Sequence, residues 1–203
     1  MCRRNMQKGQ YLEAILRSPK TVFTIKDVAL LWGESNTQAI RTRLSYYVRR
    51  GKLYRVRAGI YVKDKRYNKL ELATRIFTPA YVSFETILAQ EGLIFQFYTH
   101  ISVASYLTRD IEVDGQRYSF KRIKMPILTT SPGVENRDEI SVATKERAFL
   151  DTLYLYGDYH FDNLNGLDWS KVFEILPIYR NQRMASQVHR IYKQVNQSNE
   201  QQQ

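Results

Sequence analysis

Apolar positions with helical spacing are clearest between residues 35 and 50. One stripe occupies i, i+4, i+7 and i+8, and it consists of Ile40, Leu44, Tyr47 and Val48. Ser35, with Gln38 three residues later, predicts a capping box at the start of the helix. Gly51 stands where the end of a helix requires a left-handed backbone conformation, which glycine adopts without strain. The pattern predicts a helix with one apolar face and one polar face.

Shorter periodic segments surround this helix. Residues 8–16 predict a first helix, and Thr24 with Asp27 predicts the capped start of a second helix that ends at Gly33. Residues 52–56 and 60–62 are β-prone and are joined by a turn that contains Gly59, which predicts a hairpin. Three short helices, the last two joined by a tight turn and followed by a hairpin, predict a winged helix-turn-helix domain over residues 1–68.

The remaining chain predicts a second domain of the mixed α+β class over residues 69–195, after a polar linker at residues 63–68. Asp114-Gly115 predicts a type I′ hairpin turn. A strand is predicted at residues 125–128, the sheet is predicted to be mainly antiparallel, and helices are predicted at 170–176 and 181–195. Residues 196–203 are polar and rich in glutamine, and we predict that they are disordered.

The charge is concentrated at the N-terminal end. The chain has 31 Lys and Arg residues against 20 Asp and Glu residues, for a net charge of +11. Residues 1–70 have a net charge of +13, whereas residues 71–203 have −2. A basic domain joined to a nearly neutral one indicates a polyanion-binding module, the alternative being a solvated basic surface. The candidate DNA-contacting residues are Gln38, Arg41, Thr42, Arg43, Ser45, Tyr46, Arg49 and Arg50 on the helix, with Arg55 and Arg57 on the hairpin.

Other function classes receive little support from the residues. The single cysteine, Cys2, excludes a disulfide framework and a cysteine-based zinc finger. The three histidines (His100, His160 and His189) lack metal-ligand spacing, and no Gly-rich phosphate loop occurs. We therefore predict no catalytic residue, no metal and no cofactor. Without a signal peptide or an apolar run of membrane-spanning length, the chain is expected to be cytoplasmic and not to bind membranes.

Two clusters leave alternatives open. Asp110, Glu112 and Asp114 alternate along one predicted strand, so their face could attract a cation or could be a solvated sheet face. Tyr154, Tyr156 and Tyr159 form a polar-aromatic group that could bind a ligand or lie at the edge of a core. The stripe of the last helix (Met184, Val188, Ile191 and Val195) could pair two copies of the chain or pack on its own domain.

Several motifs together resemble the AbiEi family, the antitoxins of type IV toxin–antitoxin and phage-abortive systems. They are Gly51-Lys52-Leu53-Tyr54-Arg55-Val56 with Gly59-Ile60-Tyr61, Tyr81-Val82-Ser83 before a helix, and the segment from Val142 to Asp151. The resemblance covers roughly residues 8–175. It implies an autorepressor that binds DNA. Because a single winged helix presents one helix to one groove, we expect binding to paired repeats in the double-stranded DNA of its own promoter, as a dimer or by assembly on the DNA. The resemblance also implies that the protein counters a nucleotidyltransferase toxin without forming a stable complex. The alternatives are a protein-interaction adaptor with a structural winged helix, and a nucleic-acid-processing enzyme.

Overall fold

The N-terminal unit combines three helices with a small sheet. The computed structural model describes residues 9–200 of the chain. The helices are α1 (Gln10–Arg17), α2 (Ile25–Trp32) and α3 (Thr37–Arg49). The strands are β1 (Val22–Thr24), β2 (Tyr54–Arg57) and β3 (Ile60–Val62), which pair antiparallel in the order β1-β3-β2. The helices and the hairpin agree with the sequence prediction, but β1 was not predicted as a strand.

The ends of α3 show why the helix occupies this segment. The predicted capping box at Ser35 is wrong: the N-cap is Asn36, whose Oδ1 accepts hydrogen bonds from the backbone N–H groups of Gln38 and Ala39 at 3.0 and 3.1 Å. One asparagine thus satisfies two N–H groups that a helix start leaves unpaired. At the other end, Gly51 has φ +65°, as the sequence predicts, and the next N–H bonds back to the carbonyl of Tyr47 at 2.9 Å.

The second unit contains a six-stranded sheet with helices packed against it. Its helices are α4 (Lys69–Ile76), α5 (Glu85–Gln90), α6 (Met125–Leu128), α7 (Lys145–Tyr156), α8 (Trp169–Ile175) and α9 (Gln182–Glu200), with a 3₁₀ turn at Leu176–Tyr179. Its strands are β4 (Ala80–Val82), β5 (His100–Ser105), β6 (Arg109–Val113), β7 (Gln116–Arg122), β8 (Val134–Arg137) and β9 (Ile140–Ala143). The strand order is β6-β7-β5-β4-β9-β8. The α+β class is therefore confirmed.

Three details of this unit differ from the sequence prediction. The sheet is mixed, because β5–β7 and β4–β9 are parallel pairs. Residues 125–128 form the short helix α6 and not a strand, since Pro126 occupies the first turn, where its missing N–H costs nothing. The tail predicted to be disordered is helical as far as Glu200, because glutamine is a good helix former and each added residue extends a helix that is already packed. Residues 201–203 lie outside the described part.

Strands β1 and β3 separate two hydrophobic cores. Alternation along a strand sends neighbouring side chains to opposite faces. Phe23 and Tyr61 accordingly pack in the smaller core, with α1, α2 and α3. Val22, Ile60 and Val62 face the other way and belong to the larger core of the second unit. The two units therefore share one wall, and the predicted linker is held in place by the buried ring of Tyr67.

Polar contacts reinforce this boundary. The buried carboxylate of Glu71 on α4 accepts hydrogen bonds from the backbone N–H and the hydroxyl of Thr21, at 2.9 and 2.6 Å. Asp27 on α2 accepts from Lys20 at 2.8 Å and lies 3.5 Å from Arg75 on α4. Buried and partly buried charge pairs hold a geometry more firmly than solvated ones. The position of the first unit on the second is therefore well specified.

Candidate nucleic-acid interface

The outer face of α3 is exposed and polar. Because Ile40 and Leu44 are fully buried against α1 and α2, the opposite side of the helix is directed to solvent. The exposed members of the predicted set are Gln38, Arg41, Thr42, Ser45, Tyr46, Arg49 and Arg50. Within the described part of the chain, the side chains of Gln38, Arg41, Thr42, Ser45 and Arg49 form no hydrogen bond and no ion pair. They are free to bind an external partner.

The charge of this face is uniformly positive. Helix α3 contains no acidic residue between Thr37 and Arg49. Arg50, just beyond the helix, has its guanidinium carbon 5.6 Å from the centre of the exposed Tyr46 ring. An arginine stacked on an aromatic ring loses less conformational freedom when it binds a phosphate. The face therefore offers cations at Arg41 and at its C-terminal end, with amide and hydroxyl groups between them.

Arg43 is placed differently from the other candidates. Its guanidinium carbon lies 3.7 Å from the centre of the Tyr11 ring and 5.6 Å from that of Trp32. The Tyr11 and Trp32 rings themselves meet edge to face at 5.1 Å, so the arginine closes an aromatic cluster between α1, α2 and α3. This cation–π contact uses the side chain inside the unit. We therefore omit Arg43 from the proposed contact face.

The hairpin carries the two remaining candidates in different environments. Arg55 is exposed, and its Nε donates to the carbonyl of Arg57 at 3.4 Å. Arg57 is half-buried, with its guanidinium 5.9 Å from the centre of the Phe77 ring in the second unit. The register shifts between these two residues, which marks a bulge in the hairpin. Arg55 is therefore available to a partner, whereas Arg57 also connects the hairpin to the second unit.

The second unit has a buried charge network that the sequence reasoning did not assign. Arg147 and Asp151 are fully buried one turn apart on α7, with Nε and Oδ1 3.2 Å apart. Asp151 also accepts hydrogen bonds from the hydroxyls of Tyr81, Ser83 and Tyr179, at 3.0, 2.8 and 2.7 Å. Burial alone would lower the pKa of the Arg147 guanidinium, but the charge of Asp151 raises it above its ordinary value. Arg147 and Asp151 thus bind each other and neighbouring buried groups, and these contacts indicate a role in stabilising the fold.

A smaller cluster connects α5 to β7 and α7. Lys121 lies 2.9 Å from Glu85, and the Tyr156 hydroxyl bonds to both side chains. Burial raises the pKa of Glu85, but the hydrogen bonds to its carboxylate and the charge of Lys121 together outweigh burial, so the pKa of Glu85 is lowered. The pKa of Lys121 is raised in turn by its hydrogen bonds to Tyr156 and Glu85, which outweigh its burial, so both groups are held as ions.

The acidic row of β6 and the turn that follows it is paired with neighbouring side chains of β7 and α4. Asp110 accepts from the Ser119 hydroxyl at 2.7 Å, Glu112 lies 3.5 Å from Arg117, and Asp114 lies 3.4 Å from Lys69. Among residues 9–200, no three His, Cys, Asp or Glu side chains are grouped so that they could hold a metal ion. The row therefore has the contacts of a solvated sheet face.

Comparison with known proteins does not identify the chain. No protein-family model matches it, and a search of curated proteins found no significant match. Within the described residues, no helix combines the length and the apolar character needed to cross a bilayer.

Proposed function

We propose that this protein is a transcriptional repressor that binds double-stranded DNA through α3. The observation that carries the proposal is the exposed face of α3, which combines cations with unpaired amide and hydroxyl groups and contains no acidic residue. Arginine suits phosphates and guanine, whereas Gln, Thr and Ser suit base edges in the major groove. The basic excess of residues 1–70 adds a long-range attraction to any polyanion.

The arrangement around α3 favours a winged helix-turn-helix. Helices α2 and α3 are joined by the short turn at Gly33, and the β2–β3 hairpin follows α3 in the chain. Strand β1 pairs with β3 on the edge opposite β2. In such a domain the second helix of the pair enters the major groove, and the hairpin reaches the neighbouring backbone. Arg55 lies on this hairpin and is exposed.

The resemblance to AbiEi-type antitoxins extends the proposal to a biological role. The protein would repress its own promoter at repeated sites and counter a nucleotidyltransferase toxin without binding it stably. Co-expression with a neighbouring toxin gene tests the antitoxin role separately from DNA binding. Growth that stays arrested whenever the antitoxin is expressed would contradict this role.

DNA binding is tested by titrating the full chain onto duplexes at 50–300 mM salt, with upstream DNA of its own gene against random DNA. Arg49→Gln should weaken binding to both duplexes and reduce the salt slope by about 1, because one phosphate contact is lost. Gln38→Ala with Thr42→Ala should reduce discrimination by about 1–3 kcal/mol for each good base contact. Arg17→Gln on α1 is the matched control, since Arg17 is exposed and pairs with Glu13. Parental affinity of the Arg49 variant at every salt concentration would exclude α3 as the contact surface.

A protein-interaction role is the second candidate, and one loop supports it. Phe97 is 100% exposed and Phe95 is 68% exposed between α5 and β5. The backbone N–H of Phe95 donates to Asp162 at 2.7 Å, so the loop is fixed while it presents both rings. Exposed aromatic residues are common anchors of protein interfaces. If Phe97→Ser removes antitoxin activity and leaves DNA binding intact, the second unit acts through a protein partner.

A further inference from the structure

Helix α9 presents a second basic face, far along the chain from α3. Residues 180–203 contain four basic residues and one acidic residue, for a net charge of +3, whereas residues 71–179 have a net charge of −5. The near-neutral balance of the second unit therefore conceals a strong internal separation of charge. Three of the four cations, Arg183, Arg190 and Lys193, lie on α9.

The helix is amphipathic, and its inner side is already used. Met184 and Val188 are buried in the core of the second unit, and Ile191 packs against that core. The predicted pairing stripe is thus largely occupied by the molecule's own domain. The opposite side lies about 180° away around the helix and consists of Gln182, Arg183, Ser186, His189, Arg190, Lys193, Gln194 and Gln197, all of them exposed.

The cations on this side have no internal role. Arg183, Arg190 and Lys193 form neither an ion pair nor a side-chain hydrogen bond with any described residue. Arg183 and Arg190 are seven residues apart, which places them on one side of the helix about 10 Å from each other. Both line an open groove of roughly 1130 Å³ against the end of α7, where Asp158 is a neighbouring carboxylate.

The chemistry of the face distinguishes among anionic partners. The aromatic rings on and beside this face are already engaged within the protein: the His189 imidazole lies 4.9 Å from the Phe173 ring, and Tyr192 packs against Trp169 and Phe173. Stacking of an unpaired base is therefore less favoured than contact with a duplex backbone. The face also has no apolar side chain to insert into a lipid surface or a protein pocket. Arginine, lysine, glutamine and serine are the side chains that contact the phosphates of a duplex.

We propose that the exposed face of α9 is a second DNA-binding surface, which contacts the phosphate backbone of double-stranded DNA. This inference rests on the proposed function and extends it, because it assigns to the second unit a direct share in affinity. The contacts are to phosphates, so they increase affinity without adding sequence preference. DNA held by α3 and α9 together would require a longer duplex than α3 alone.

The test compares two triple variants of the full chain that lose the same charge. Arg183→Gln, Arg190→Gln and Lys193→Gln remove the cations of α9 and retain its helix propensity. Arg109→Gln, Arg122→Gln and Lys124→Gln remove three exposed cations elsewhere in the second unit, none of which has an ion pair to a described residue. Circular dichroism and the melting temperature of both variants verify that the fold is retained.

Binding of random-sequence duplexes of 16 and 40 base pairs is then measured between 50 and 300 mM salt. We expect the α9 variant to bind the 40-base-pair duplex on the order of 10²-fold more weakly near 100 mM salt, with a salt slope smaller by about 2–3. The control variant should change far less. Equal losses in both variants would indicate general charge attraction and would overturn the proposal, as would an unchanged slope in the α9 variant.

The Arg49→Gln variant separates this proposal from the one about α3. If Arg49→Gln weakens binding and the α9 variant does not, the α9 proposal fails and the proposed function stands. If the α9 variant alone loses binding, α9 is confirmed as the DNA contact and the assignment of α3 fails.

Discussion

At the scale of single residues, Gly133 has the tightest requirement for the absence of a side chain. It has φ +75°, and a Cβ there would lie 2.7 Å from both Arg147 Cβ and Ile175 Cδ1. Gly92 has a similar φ of +71°, but a Cβ there would meet nothing within 4 Å. Substitutions at Gly92 and Gly133 therefore distinguish the cost of backbone strain alone from the cost of strain combined with close packing.

We expect Gly92→Ala to lower the free energy of unfolding by about 1 kcal/mol, through the strain of a positive φ. Gly133→Ala should cost about 1–3 kcal/mol more, because it also overpacks the core. Urea denaturation of the two variants measures the difference. Equal losses would mean that the neighbours of Gly133 can move aside without cost.

The buried pair of Arg147 and Asp151 gives a second prediction at this scale. Asp151→Asn removes the charge that balances a buried guanidinium, so we expect a loss of about 3–5 kcal/mol. Arg17 and Glu13 have the same spacing and lie 2.6 Å apart on the exposed side of α1. Glu13→Gln is therefore a matched control and should cost less than about 1 kcal/mol. Urea denaturation provides both values, and similar losses would contradict the structural importance of the buried network.

At the scale of elements, the two arginines of the β2–β3 hairpin are expected to have different roles, one in DNA binding alone and the other also in packing. Arg55→Ala should shorten the DNA footprint on one flank without changing the melting temperature, because Arg55 is exposed. Arg57→Ala should in addition lower stability by about 0.5–1 kcal/mol, since it removes the contact with Phe77. Footprinting and thermal denaturation measure the two effects. An unchanged footprint in both variants would leave the hairpin as a scaffold.

How far elements can be predicted from the chain depends on their length and pattern. Helix α3 was predictable because Ile40 and Leu44 repeat with helical period and Gly51 ends the helix. Strand β1 was missed, since it has three residues and places Val22 in one core and Phe23 in the other. It therefore lacks the alternation of apolar and polar residues by which a half-exposed strand is recognised.

Site residues were predictable only where exposure follows from the helical period. Gln38, Thr42 and Ser45 lie on the side opposite the stripe and are exposed, as expected. Arg43 lies near the edge of that side, and only the packing of α1 brings Tyr11 beneath its guanidinium. Arg147 and Asp151 resemble a solvated i, i+4 pair in sequence, and their burial depends on the surrounding sheet and helices.

At the scale of the whole molecule, stability at low pH depends on Asp27, a carboxylate at the boundary of the two units that contacts Lys20 in its own unit and Arg75 in the other. Burial raises the pKa of Asp27, but hydrogen bonds from Lys20 and Thr24 and the charge of Arg75 outweigh it, so the pKa is lowered. A carboxylate with a lowered pKa stabilises the fold above its unfolded-state pKa of about 4. This stabilisation is lost as the pH falls through the lower pKa of the folded state.

We therefore expect Asp27→Asn to be less stable than the parent by about 1–3 kcal/mol at pH 7, because charged hydrogen bonds are lost. The difference should shrink as the pH falls below about 4. Glu174→Gln is the control, since Glu174 is exposed and has no ion pair to a described residue. Urea denaturation between pH 2.5 and 7 provides the comparison. A constant difference across this range would mean that Asp27 does not act through its charge.

The wall that β1 and β3 share has a consequence for engineering. A fragment cut at residue 68 would expose Val22, Ile60 and Val62 to water, and burial of each such side chain is worth about 1.5–3 kcal/mol. The first unit is therefore poorly suited to be fused alone to another regulator, because its apolar surface would be exposed to water. A change of target sequence is better made by exchanging the exposed side chains of α3 on the intact chain.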